Sequence, residues 1–109
     1  MSASKPETKM SAEAAERLEA LGFIVLRLQA GKARVKGGWM QGNRAGCPDR
    51  AVLLSRARIA FLEAKVGNGK PSPDQERWHA LAKRRGHIVI TFWTPLEAVR
   101  AVIAAEKTA

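Results

Sequence analysis

Two neighbouring apolar segments in the middle of the chain constrain the fold most strongly. Residues 51–55 and 59–64 are apolar on successive positions, and only a short segment separates them. This pattern is typical of strands that are covered on both faces. We therefore predict two adjacent central strands, with helices packed on both sides of their sheet.

Flanking patterns complete an α/β arrangement over one domain, residues 1–109. The predicted elements are a helix starting at Ser4 or Ser11 and ending at Gly22, a strand over 23–28, a glycine-rich loop or ragged hairpin over 30–46, the two central strands, a helix from Ser72 to Arg85, a strand over 87–93 and a last helix after Thr94. Helix ends are assigned from capping residues and glycines. We expect Leu81 to point inward and Trp78 and Trp93 to lie in the core.

The charge of the chain is strongly positive and unevenly distributed. Nineteen Lys and Arg against ten Asp and Glu give a net charge of +9. Between residues 27 and 58 there are eight basic side chains and a single acid, Asp49. Such an excess indicates a polyanionic partner, either nucleic acid or an anionic membrane surface. A lone carboxylate inside a basic segment resembles a metal ligand set into a phosphate-binding surface.

Three charged residues near the central strands suggest a catalytic site. Asp49 precedes the first central strand, and Glu63 and Lys65 end the second. Alternation along an extended segment puts Glu63 and Lys65 on the same face, and a tight turn brings Asp49 close to Glu63. Two carboxylates can hold Mg²⁺, and an adjacent lysine can stabilise developing negative charge. This favours metal-dependent cleavage of a phosphodiester, with a surface ion pair as the structural alternative.

The motifs together resemble a known family. They are Gly46-Cys47-Pro48-Asp49, residues 61–65 (FLEAK), residues 69–75 (GKPSPDQ) and residues 86–89 (GHIV). This combination is similar to the VRR-NUC family of the PD-(D/E)xK nuclease superfamily, over about residues 7–103. The resemblance implies a restriction-endonuclease-like three-layer core of order α-β-β-β-α-β-α around a mixed sheet. It also implies a stand-alone, phage-type DNA endonuclease that resembles Holliday-junction resolvases and forms a homodimer.

The resemblance assigns roles to the motif residues. Asp49, Glu63 and the backbone carbonyl of Ala64 are expected to bind Mg²⁺ or Mn²⁺. Lys65 is expected to orient or help deprotonate the attacking water. These roles agree with the charge that a phosphodiester transition state develops on its nonbridging oxygens.

Two further residues carry open alternatives. Gln75 matches the family's helix glutamine near the catalytic lysine, but it could instead serve as a capping-box partner of Ser72, or do both. Glu7 matches an acid that the family often carries near the metal on its first helix. Its alternative is to cap that helix by reaching back to Ser4.

The remaining candidates are less constrained by the sequence. Trp39 could stack on an unpaired base or simply pack. His79, one helical turn after Gln75, could approach the site, but we favour a solvated or edge-packed side chain. We expect Cys47 to be a small loop residue rather than a nucleophile. Charge and loop position select the candidates for phosphate contact: Arg34, Lys36, Arg44, Arg50 and Lys70.

Two other functions compete with the nuclease hypothesis. One is a non-catalytic basic DNA-binding module of a phage or mobile element, and the other is a basic subunit of a phage assembly. No apolar stretch approaches the length of a membrane-spanning helix, and the first ten residues lack the apolar segment of a signal peptide. With one cysteine, the chain fits a reducing cytosol, and we expect a cytoplasmic location in a bacterial or phage-infected cell.

Overall fold

The computed structural model describes residues 6–28, 32–35, 38–41 and 45–108, the two short central segments by their backbone alone. The elements are α1 (Pro6–Ala20), β1 (Ile24–Arg27), β2 (Lys32–Val35), β3 (Gly38–Gln41), β4 (Arg50–Leu53), β5 (Ile59–Ala64), α2 (Pro73–Arg84), β6 (Ile88–Phe92) and α3 (Pro95–Lys107). The predicted order α-β-β-β-α-β-α is confirmed for the main sheet and its helices. Within residues 30–46, β2 and β3 form the hairpin that the sequence left open.

The main sheet is mixed and has the strand order β1-β4-β5-β6. β4 pairs antiparallel with β1 and with β5, whereas β5 and β6 are parallel and are connected through α2. The prediction that β4 and β5 are central is therefore correct. Arg56 and Ala57, at the turn between them, both have positive φ angles, of 64° and 58°.

The apolar core lies between one face of the sheet and the helices α1 and α3. It is built from small and branched side chains, which allow the layers to approach closely. Its fully buried members include Leu18 from α1, Val52 and Leu62 from the central strands, Phe92 from β6 and Val102 from α3. Ala60, Leu62 and Ala64 form the face of β5 that belongs to this core.

Helix α2 covers the opposite face of β5 and completes the third layer. Phe61, whose side chain alternates with those of Ala60 and Leu62, packs edge-to-face on Trp78 of α2 at a centroid distance of 4.6 Å. The helix begins with the predicted capping box. Ser72 Oγ accepts a hydrogen bond from the backbone N–H of Gln75, and Gln75 Oε1 accepts one from the backbone N–H of Ser72.

Two predictions of core positions are wrong. Trp93 is 43% exposed and Leu81 is 41% exposed. Trp93 follows the last residue of β6 and precedes the cap of α3, so the chain has already left the sheet at this position. Leu81 lines a cavity beside Trp78 that is open to solvent, which leaves its side chain accessible. No helix in the part of the chain described is long and apolar enough to cross a membrane.

Candidate active site

The pairing of β4 with β5 brings the two predicted carboxylates together. Arg50 is opposite Leu62, and continuing this register by one residue sets Asp49 opposite Glu63. The backbone N–H of Asp49 donates to Leu62 O at 3.0 Å, which fixes the start of β4 against β5. Neighbouring positions across an antiparallel pair share one face of the sheet. The two acids therefore lie side by side without any contribution from a helix.

Asp49 is held by the backbone of β5. Its Oδ2 accepts a hydrogen bond from the N–H of Ala64 at 3.0 Å, while its other oxygen has no protein partner among the described contacts. Burial raises the pKa of Asp49, and the Ala64 N–H opposes that rise. The negative charge of Glu7 raises it further. A carboxylate with one anchored oxygen is well placed to present its second oxygen to a cation.

Glu63 is the most perturbed acid in the described chain. Its side chain is nearly inaccessible, with a residue exposure of 4%. Burial and then the negative charge of Asp49 raise the pKa of Glu63 to about 7, against a smaller opposing effect of Lys65. Its Oε1 is buried without a hydrogen-bond partner in the described structure. A buried and unpaired carboxylate is costly, which is typical of functional sites.

Lys65 projects from the same strand face and is anchored to α2. Its Nζ donates to Gln75 Oε1 at 2.9 Å, and its backbone N–H donates to Phe92 O. The Gln75 oxygen also caps the helix, so the capping contact and the contact with Lys65 coexist in one atom. The glutamine thus connects the lysine to the start of α2.

Glu7 lies on the first turn of α1, beside the same cavity as Asp49. Its negative charge contributes to raising the pKa of both Asp49 and Glu63. A cavity of about 150 Å³ opens beside these groups. Its lining residues are Glu7, Thr8, Ser11, Arg27, Leu28, Asp49 and Arg50. The alternative capping partner of Glu7, Ser4, lies outside the described residues.

Arg50 lines the same cavity instead of extending freely into solvent. Its Nε donates to Ser11 Oγ on α1 at 3.1 Å, and it is half-buried. Together with Arg27 it brings two guanidinium groups to a cavity that also contains Asp49 and Glu7. A site with acids on one side and arginines on the other can bind both a cation and a phosphate.

His79 approaches this site, which is the less favoured of the two alternatives that the sequence offered for it. We expected a solvated or edge-packed side chain, but it is buried, and its Nε2 lies 3.8 Å from Glu63 Oε1. Burial, followed by the positive charges of Lys83 and Lys65, lowers the pKa of His79, so the contact is not an ion pair at neutral pH. The available signal was helical spacing, because His79 lies one turn after Gln75 on the same helix face.

A solved structure with the description "VRR_NUC domain" has the same architecture. The two chains superpose with a TM-score of 0.66 and are 31% identical, over 92% of this chain and 97% of that one. The chain belongs to the VRR-NUC family. The restriction-endonuclease-like mixed α/β fold that the motifs implied is thereby confirmed.

One curated relative also aligns with this VRR-NUC chain. It is the protein named "Putative nuclease p44" of Acyrthosiphon pisum secondary endosymbiont phage 1, which is 47% identical over 48 residues. That segment is 44% of this chain and spans only about half, 52%, of the phage protein. No family model matches the sequence.

The VRR-NUC site fits a divalent cation held by a small number of protein groups. Asp49 and Glu63 offer hard oxygen ligands, and an unpartnered buried oxygen of Glu63 gains most from a positive charge nearby. Among the described residues, no cluster of three or more His, Cys, Asp or Glu forms a complete ligand set. Hydrated Mg²⁺ commonly needs only one or two carboxylates. The Ala64 carbonyl stays a predicted third ligand.

The structure describes the side chains of only some of the other residues that the sequence analysis selected. Lys70 is exposed in the segment that connects β5 to α2. The side chains of Arg34, Lys36 and Arg44, like that of Trp39, lie outside the described residues. Cys47 is buried, and burial followed by the charges of Glu63 and Asp49 raises the pKa of its thiol. A protonated thiol is a poor nucleophile, which favours the structural interpretation of Cys47.

Proposed function

We propose that this VRR-NUC protein is a Mg²⁺- or Mn²⁺-dependent DNA endonuclease that hydrolyses phosphodiester bonds. One observation carries the proposal: the half-buried carboxylate of Asp49 and the buried carboxylate of Glu63 lie side by side on one face of the sheet, and Lys65 projects from that same face. The family membership and the name of the phage relative support nuclease activity. The net charge of +9 supports a polyanionic substrate.

Each residue of the site has its own proposed role in the hydrolysis of a phosphodiester bond. Asp49 and Glu63, with the Ala64 carbonyl, would hold the cation, which when bound supplies Lewis-acid polarisation of the scissile phosphate. Lys65 Nζ, oriented by Gln75, can position the attacking water and offset charge on the nonbridging oxygens. The water adds to phosphorus, the bond to the 3′-oxygen breaks, and a proton must reach that leaving oxygen. Glu7 is the candidate for a third carboxylate contact to a cation.

The phosphate backbone would be bound by the basic groups around the cavity. Arg50 is the best-supported candidate because Ser11 holds its guanidinium against the site. Lys70, in the adjacent turn, is a second candidate, and Arg34, Lys36 and Arg44 stay predictions from charge. Contacts of this kind predict affinity that falls steeply with salt concentration.

We further propose that the enzyme acts on branched, junction-like DNA as a homodimer in the cytoplasm. A two-fold dimer of this domain would place two sites for symmetric cuts in a branched junction. The buried and unpaired thiol of Cys47 agrees with a reducing compartment.

The test compares a labelled four-way junction with its matched linear duplex, in Mg²⁺, Mn²⁺ or EDTA. Lys65→Ala and Asp49→Asn are compared with Glu76→Gln, a change of an exposed acid on α2. We expect metal-dependent cutting that Asp49→Asn and Lys65→Ala abolish and Glu76→Gln leaves intact. Equal cutting of both substrates would remove the junction selectivity, and light scattering of the free protein checks the dimer separately.

A non-catalytic DNA-binding module is the second candidate, and the same basic surface favours it. This alternative predicts salt-sensitive DNA binding that needs no cation and does not change on Asp49→Asn. The nuclease proposal predicts that Asp49→Asn binds DNA as well as or better than the original protein, because a repulsive carboxylate is lost. Full cleavage by Asp49→Asn and by Glu63→Gln would contradict the nuclease proposal.

A further inference from the structure

Two polar atoms are left without partners where α2 crosses β5. They are Oε1 of Glu63 and Nε2 of His79, and both are buried without a hydrogen bond in the described structure. They face each other at 3.8 Å, and the exposures of the two side chains are 5% and 11%. Buried polar atoms are normally satisfied, so two orphaned atoms directed at one another need an explanation.

The separation is slightly too long for a hydrogen bond and short enough to close by a small movement. An N–H···O bond has a usual length of about 2.9 Å, so a shift of about 1 Å, shared between two side chains, would complete it. A neutral imidazole protonated on Nε2 is a donor, and the carboxylate oxygen is an acceptor. The neutral imidazole of His79 can therefore donate a hydrogen bond to the carboxylate of Glu63 without a change in the protonation of either group.

Contacts on either side of His79 hold α2 against β5. On one side of His79 along α2, Trp78 packs edge-to-face on Phe61 of β5. One turn earlier, Gln75 accepts a hydrogen bond from Lys65 of the same strand. Three successive same-face positions, residues 61 and 63 of β5 and residue 65 directly after it, thus each meet a side chain of α2. His79 is the member of this set that meets Glu63.

We propose that His79 is a positioning residue whose Nε2–H holds Oε1 of Glu63, so that the carboxylate is oriented toward the cation. This inference rests on the proposed function, because it assigns Glu63 to the cation. Carboxylate ligands are commonly oriented by such outer hydrogen bonds, and losing one typically weakens metal affinity by about 10–100-fold.

The test measures binding of Mg²⁺ and of Mn²⁺ by calorimetry on the full-length protein without DNA. His79→Leu, which fills a similar volume without a donor, should weaken both affinities by about the same factor, within 10–100-fold. His79→Gln, which restores a donor, should recover most of the affinity. The melting temperature of metal-free His79→Leu should not fall, because no satisfied hydrogen bond is lost.

His87→Leu is the matched control. Its Nδ1 accepts a hydrogen bond from the backbone N–H of Ile59 at 3.1 Å, away from the carboxylates. This variant should lower the melting temperature and leave both cation affinities unchanged. A proton spectrum adds an independent readout, since the Nε2–H resonance of His79 should move downfield when Mg²⁺ binds and should stay in place in Glu63→Gln.

The outcomes separate this inference from the proposed function. Wild-type affinity in His79→Leu overturns the positioning role alone. Loss of Mn²⁺ binding with intact Mg²⁺ binding also overturns it, because it would make the imidazole a direct ligand, which Mg²⁺ does not favour. Absence of cation binding in the unaltered protein refutes the proposed function and the positioning role together.

Discussion

The buried charge of Glu63 should destabilise the metal-free protein at neutral and alkaline pH. Its Oε1 lies without a partner beside a second carboxylate, so ionisation inside the fold costs more than ionisation in the unfolded chain. Glu63→Gln keeps the shape of the side chain and removes the ionisation. We expect this variant to be more stable than the original protein in EDTA at pH 8.

The magnitude follows from the pKa of Glu63. A rise from the ordinary value of 4.5 to about 7 corresponds to roughly 3 kcal/mol, at about 1.4 kcal/mol per pH unit. Because the folded state binds the proton more tightly, this carboxyl favours folding below pH 4.5. That contribution is lost as the pH rises through about 7. The excess free energy of unfolding of Glu63→Gln over the original protein should therefore grow as the pH rises from 4.5 to about 7 and stay constant at higher pH.

Urea unfolding at several pH values between 4 and 8.5, followed by circular dichroism in EDTA, measures this difference. Glu76→Gln is the control, because an exposed acid on α2 should change stability by less than about 0.5 kcal/mol at every pH. Saturating Mg²⁺ should recover stability in the original protein and not in Glu63→Gln. A Glu63→Gln protein that is less stable than the original at pH 8, or a difference independent of pH, would refute the reasoning.

Four further substitutions test the backbone turns and the helix cap that surround the site. Gly46 has a φ of 89°, and a Cβ there would collide with the backbone at the start of α2, so Gly46→Ala should cost more than about 2 kcal/mol in a urea titration. Ala57 has a φ of 58°, and Ala57→Gly should raise the free energy of unfolding by about 1 kcal/mol in the same titration. Ser72→Ala and Gln75→Ala should each lower stability by about 1 kcal/mol, but only Gln75→Ala, which also frees Lys65, should reduce the single-turnover cleavage rate.

The strand pairing was predictable because it depends on local signals. Two apolar segments separated by a short connection can scarcely avoid pairing, and their register then sets Asp49 opposite Glu63. The capping residues around Ser72 and Thr94 likewise define helix starts from a few neighbouring positions. The carboxylate pair is therefore a consequence of sequence-local geometry.

The contribution of α2 to the site was harder to predict because it depends on how one layer lies over another. The apolar pattern of the helix does not reveal which of two adjacent residues points at the strand below. Trp78 faces Phe61 and His79 faces Glu63, although a solvated histidine was expected. Trp93, in contrast, was expected in the core because of its size, but the chain turns away from the sheet before it.

The contacts between α2 and β5 explain how one strand can carry both an apolar core and a polar site. Its residues 60, 62 and 64 are small or branched and pack into the core on one side. Residues 61, 63 and 65 lie on the other side, where they meet α2. The first makes an aromatic contact with Trp78, and the other two meet the polar side chains of His79 and Gln75. The aromatic pair supplies the packing energy that the buried acid and lysine cannot. The position of the polar site is thus coupled to the apolar contact beside it, and a change at Phe61 or Trp78 should displace Glu63 and Lys65 together.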